Sequence, residues 1–168
     1  MEIHIVPIAA EQKSVFRQML ELYSYDFSEF SEEDVNEEGY FGYSYIDVYW
    51  TEEGRYPFFI RVDGKLAWVV LIRSCCEYNR LENAHSIAEF FVMKKYRKKG
   101  VGREAARQIF DMFPGCWEIS YWTANLPAKT FWMKVVNEYT EGRYHTFCIR
   151  EENIAGFMFD NSRIGKYV

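Results

Sequence analysis

No apolar run in this 168-residue chain approaches the roughly 20 residues that a membrane span needs. The opening MEIHIVPIAAEQK also lacks the charged, then apolar, then small-residue order of a secretory signal. A cytoplasmic protein without a membrane partner is expected. Cysteine is sparse: Cys75, Cys76, Cys116 and Cys148 show no CxxC spacing, so reduced structural thiols and no metal site are expected. Cys75 and Cys76 adjoin in an apolar, strand-like run, where alternation would point them to opposite faces. Histidine is scarcer still. Nothing in the sequence pairs His4, His85 or His145 with a thiol, which argues against covalent cysteine catalysis. Repeats and low-complexity linkers are absent, and 49% apolar content suits one domain over residues 1–168 with its own core.

Charge is unevenly placed. Eleven Asp or Glu stand against one Arg between residues 21 and 55, whereas seven Lys or Arg stand against one Glu between residues 94 and 107. The basic pole in principle suits nucleic acid. It is short and tied to a glycine loop in a chain of net charge -5, so no nucleic-acid partner is expected. The acidic pole is either a solvated face or an attractant for a cationic amine.

Periodicity gives a coarse map. Residues 1–8 alternate as a strand, and residues 10–25 put Val15, Phe16, Met19, Leu20, Leu22 and Tyr23 on a helical face. Residues 31–50 are acidic and then aromatic, reading as a short helix within irregular chain. Residues 56–62 and 65–72 flank Asp63-Gly64, a type I′ hairpin signal. A strand over 84–93, a helix over 100–113, a strand over 116–123 and a helix over 127–139 follow. Two strands, 143–150 and 154–159, close the chain as a hairpin. Hairpin-joined strands with two late helical crossovers predict an α/β (α+β) fold with a mixed, mostly antiparallel sheet covered on both faces.

The densest signal is VMKKYRKKGVG at residues 92–102, where a basic, glycine-containing loop joins a strand to a helix. A helix opening there offers unpaired N–H groups and the positive end of its dipole to an anion, and Gly100 and Gly102 allow close approach. The spacing is neither a P-loop nor a dinucleotide fingerprint, because Gly100-Val101-Gly102 is followed by Arg103-Glu104-Ala105.

The run Arg97, Lys98, Lys99, Gly100, Val101, Gly102 resembles the signature of the GNAT (Gcn5-related) N-acetyltransferase family, in which Arg or Gln, two residues, Gly, one residue, then Gly or Ala binds the diphosphate of acetyl coenzyme A. Two neighbouring segments strengthen the resemblance. Residues 89–93 (EFFVM) are similar to the corresponding strand of the diamine (spermidine/spermine) acetyltransferases, and Asn125-Leu126-Pro127-Ala128 with Phe131-Trp132 resembles the family's second signature. The resemblance spans residues 56–159 and implies the GNAT fold, with strands 4 and 5 splayed to form a cofactor cleft. It further implies acetyl-CoA (coenzyme A) as co-substrate and a small-molecule amine as acceptor. Homodimers are common in that family, although no residue here establishes one.

The same resemblance implies that the main chain of Phe90, Phe91 and Val92 holds pantetheine. Arg97 and the N–H groups of Lys98, Lys99, Gly100, Val101, Gly102 and Arg103 would hold the diphosphate, and Asn125 would contact pantetheine. Asn125 also suits a helix cap before Pro127. Glu89, an acid in an apolar strand, is the candidate catalytic base; a satisfied carboxylate on an outward face is the competing reading. His85 is a lesser candidate. Trp132 stands where the family commonly has a Tyr that protonates the departing thiolate, and an indole N–H cannot do so near neutral pH. Tyr139, Tyr144 or water could replace it. Otherwise the chain is a non-catalytic coenzyme A-binding or sensing module.

Overall fold

The computed structural model describes residues 1–81 and 83–162, so the end of the expected domain lies outside the described residues. The elements in order are β1 (Ile3–Pro7), α1 (Lys13–Phe27), α2 (Val48–Thr51), β2 (Arg55–Val62), β3 (Lys65–Arg73) and β4 (Ala84–Phe90). There follow α3 (Val101–Met112), β5 (Cys116–Trp122), α4 (Leu126–Thr140), β6 (His145–Ile149) and β7 (Ile154–Asp160). The strands form one sheet in the order β1-β2-β3-β4-β5-β7-β6, with every neighbouring pair antiparallel except β4 and β5. The expected mixed sheet is therefore present.

Local chemistry accounts for most of these elements. Asp63 and Gly64 both take positive φ, 48° and 76°, as a type I′ turn requires, and this fixes the β2–β3 register. In α1 the buried stripe is narrower than the periodicity suggested. Phe16, Met19 and Leu20 face the sheet, whereas Val15 and Leu22 are 41% and 50% exposed. One helical step from the stripe turns each of them about 100° away from the sheet. The Cys75–Cys76 expectation also changes, because β3 stops at Arg73 and both residues lie in the following loop. All four cysteines are free.

Two cores flank the sheet. One, under α1 and α2, gathers Phe16, Leu20, Tyr49, Trp68, Val69 and Leu71. The other, under α3 and α4, gathers Val70, Ile72, Ile109, Phe110, Trp117 and Trp132.

Strand β4 shapes the site through two irregularities. Ile87 pairs with Ile72 and Glu89 with Leu71, so Ala88 is an extra residue, a β-bulge. Regular alternation would put Glu89 on the face of Ile87, beneath α3 and α4. The bulge moves it to the face of Leu71, beneath α1. In addition, β4 meets β5 only at Ala84–Cys116, His85–Trp117 and Ser86–Glu118. Beyond Ser86 the strands part, and the sheet opens into a cleft.

Candidate active site

Two adjoining hollows occupy this opening. The larger, about 700 Å3, lies between β4, the loop after it, the start of α3 and one side of α4. Phe90, Phe91, Val92, Arg97, Lys98, Gly100, Gly102, Arg103 and Asn125 all border it. Two residues of the sequence motif do not. Lys99 is exposed beyond the rim, and the Val101 side chain is fully buried in the core, leaving only its main chain for a ligand.

The loop geometry suits an anion. Gly100 precedes α3 with φ of 81°, no side chain caps the helix, and a Cβ on Gly100 would meet nothing within 4 Å. The first helical bond is Glu104 N to Gly100 O at 3.0 Å, so the N–H groups of Val101, Gly102 and Arg103 have no intrahelical acceptor. Gly102 is small for another reason: a Cβ there would lie 3.1 Å from Phe131 Cε2, so this glycine lets α3 approach α4.

The basic side chains are less available than their number suggests. Arg97 Nε donates to Val92 O and Nη2 to Asp26, both at 2.7 Å, and its guanidinium lies over the Phe91 ring. Lys94 joins the same carboxylate at 2.8 Å. Burial would raise the pKa of Asp26, but the Lys94 and Arg97 hydrogen bonds hold it below the usual value. Arg97 thus ties the end of β4 to α1, and one of the expected pantetheine-binding carbonyls, that of Val92, already accepts a bond. Arg103 pairs more loosely with Glu138 at 3.7 Å.

The smaller hollow, about 230 Å3, lies in the gap between β4 and β5 and is bordered by Arg73, Glu77, Tyr78, Glu89, Tyr121 and Trp122 among others. Tyr23, Phe27, Phe90, Asn125, Ala128 and Trp132 border both hollows, so the two adjoin. Glu89 is the titratable centre of the smaller one. Tyr43 Oη donates to its Oε1 at 3.1 Å, and the Tyr23 hydroxyl lies close enough to the same carboxylate to favour its ionised form. Burial pushes the Glu89 pKa up to about 7, against the lowering effect of both hydroxyls and of Arg73; Glu77 adds a small push upward. Burial beside that carboxylate in turn raises both phenols. Glu89 therefore does not lie on an outward strand face.

The other candidates also make structural contacts. Asn125 Oδ1 accepts from Ala128 N at 2.9 Å and caps α4 while its side chain borders both hollows. Trp132 is 5% exposed and packs edge-on to Phe90 at 4.9 Å. His85 lies between Phe113 and Trp117 in the paired part of β4, where burial lowers its pKa. Tyr139 donates to Asp111 at 2.9 Å, and Tyr144 packs on Phe157; neither borders the hollows.

Sequence reasoning missed Glu118. This β5 carboxylate is 1% exposed and accepts from the N–H groups of Glu77, Tyr78 and Asn79 and from Asn79 Nδ2, at 2.7 to 3.2 Å. It folds the loop that carries Glu77 and Tyr78 to the smaller hollow, where Glu77 pairs with Arg73. The signal was an acid in an apolar strand, the same one that singled out Glu89.

Residues 16–137 match the family model described as the acetyltransferase (GNAT) family. No curated protein matches the chain. Among solved structures, an acetyltransferase from Thermus thermophilus is similar at 10% identity and a TM-score of 0.71, over 95% of this chain and 97% of that one. The ribosomal-protein-S18-alanine N-acetyltransferase from Escherichia coli is similar at 10% identity and 0.59, over 99% of each chain. PaiA N-acetyltransferase from Thermoplasma acidophilum, in complex with coenzyme A, is similar at 12% identity and 0.61, over 95% of this chain and 99% of that one. At these identities the likeness is one of fold.

Proposed function

The chain belongs to the acetyltransferase (GNAT) family and is an N-acetyltransferase; we propose that it uses acetyl-CoA to acetylate a small, cationic primary amine by direct attack, with Glu89 as the base. The observation that carries this is the position of Glu89, a carboxyl with a pKa near 7 in the gap between β4 and β5. A base of that strength holds an amine proton at neutral pH and gives it up again.

The larger cleft receives the co-substrate. The N–H groups at the start of α3 and the side chains of Lys98 and Arg103 hold the diphosphate. Main-chain groups of Phe90 and Phe91 and the Asn125 side chain hold pantetheine, with the Val92 N–H as a further donor. The thioester then lies where the two hollows meet, against Phe90 and Trp132. The amine enters from the smaller hollow as an ammonium, drawn by the ionised Glu89 and the acidic N-terminal segment, and loses one proton to solvent. Its nitrogen attacks the acetyl carbon; Glu89 takes a second proton from nitrogen as the tetrahedral adduct forms, and the C–S bond breaks. Orientation and exclusion of water supply much of the acceleration.

Calorimetric titration with acetyl-CoA is the first test, and a folded protein that gives no binding heat would sink the proposal. Thiol release is then followed with a polyamine, an aminoglycoside, free amino acids and a peptide with a free N-terminus, with fastest turnover expected for the small cationic amines.

A further inference from the structure

The reaction above leaves the coenzyme A thiolate in need of a proton. Trp132 offers only an indole N–H, while Tyr139 and Tyr144 point elsewhere. Tyr78 and Tyr121 border the smaller hollow alone, and Tyr23 is the one tyrosine among the described residues that borders both. Its ring is fixed by stacking on Phe27 at 5.4 Å and by an edge contact with Phe91 at 5.5 Å. Its hydroxyl meets the Glu89 carboxylate.

We infer that Tyr23 is a catalytic residue that passes its hydroxyl proton to the coenzyme A sulfur as the C–S bond breaks, and takes the replacement proton from Glu89. This rests on the reading of Glu89 as the base. The protons balance within one turnover: Glu89 gains one from the amine nitrogen and gives it to Tyr23 Oη, and Tyr23 gives its own to sulfur. Amide and thiol leave, and both residues regain their starting forms. The Tyr23 phenol, raised by burial and by Glu89 well above its ordinary value near 10, is a much weaker acid than a thiol near 8.5. Tyr23 therefore acts only as a relay, with both transfers concerted and no free tyrosinate. The acid that drives it is Glu89, whose value near 7 lies below that of the thiol, so the overall transfer runs downhill.

The test uses acetyl-CoA with each amine of the panel and with hydroxylamine, the smallest nucleophile, which is neutral at pH 7. Tyr23→Phe is expected to lower kcat about 100-fold, with KM and calorimetric affinity for acetyl-CoA unchanged. Tyr43→Phe, which removes the other hydroxyl from Glu89 without bordering the larger cleft, is expected to move the pH profile to higher pH, because that hydroxyl stabilises the ionised carboxylate. An undiminished kcat in Tyr23→Phe overturns the relay and leaves Glu89 as base. An undiminished kcat in Glu89→Gln, or no acceleration of any amine by the unaltered protein, removes the reading beneath it. A proton inventory on the unaltered protein needs no variant: a curved, two-proton dependence on deuterium content is expected, and a linear one overturns the relay.

Discussion

Tyr43 Oη donates to Glu89 Oε1 at 3.1 Å, joining the aromatic stretch before α2 to the splayed end of β4 across 46 residues of sequence. With Tyr23 on the same carboxylate, this contact makes the acidic, aromatic N-terminal region part of the site. The two hydroxyls stabilise the ionised form, yet burial prevails.

The catalytic rate should accordingly rise with pH through about 7, as Glu89 loses its proton. Glu89→Gln removes that limb and lowers kcat about 100-fold, while acetyl-CoA still binds with unchanged heat. A limb that survives the substitution would belong to another group.

Stability carries the opposite sign. The folded-state pKa of Glu89 is raised from 4.5 to about 7, so between those values the native state holds a proton that the unfolded chain has released. The stabilisation of the neutral carboxyl is fully present below 4.5 and lost as pH rises through about 7. Urea midpoints of Glu89→Gln, plotted against pH, should fall less across that window than those of the unaltered protein.

Gly102→Ala sets a methyl 3.1 Å from Phe131 Cε2 and 3.2 Å from Cζ. Because both atoms belong to a ring packed against Phe90 and Trp132, the expected loss is about 1–3 kcal/mol in chemical denaturation, with weaker acetyl-CoA binding as α3 moves from α4. Adding Phe131→Leu should recover part of both.

Trp132→Phe tests whether the indole has a chemical role. A packing role predicts a loss of about 1–3 kcal/mol and an unchanged kcat below the melting transition. A kcat that falls while the fold persists would place the indole in the reaction.

Glu118→Gln replaces a carboxylate that accepts from four N–H groups with an amide that turns an N–H2 toward them. The expected cost is about 3 kcal/mol. Hydrogen exchange at Glu77, Tyr78 and Asn79 should accelerate; protected amides there would show that the loop holds without the carboxylate.

The sequence alone determined what depends on near neighbours. Asp63-Gly64 specified the hairpin because both residues tolerate positive φ. Gly100 marked the anion-facing start of α3, and Asn125 the cap of α4, because both act within one turn of their own helix. Tertiary structure decided what depends on partners distant in the chain. Only pairing with β3 shows that Ala88 is an extra residue and that Glu89 therefore turns toward Tyr23 and Tyr43. Only the packing of α3 on α4 gives Gly102 its reason. The basic run shows seven cations beside the glycine loop, and Asp26, far away on α1, takes two of them to fasten the cleft. Local propensity is written in short windows. Which carboxylate loses its water, and beside which hydroxyls, is settled only by what packs around the β4–β5 gap.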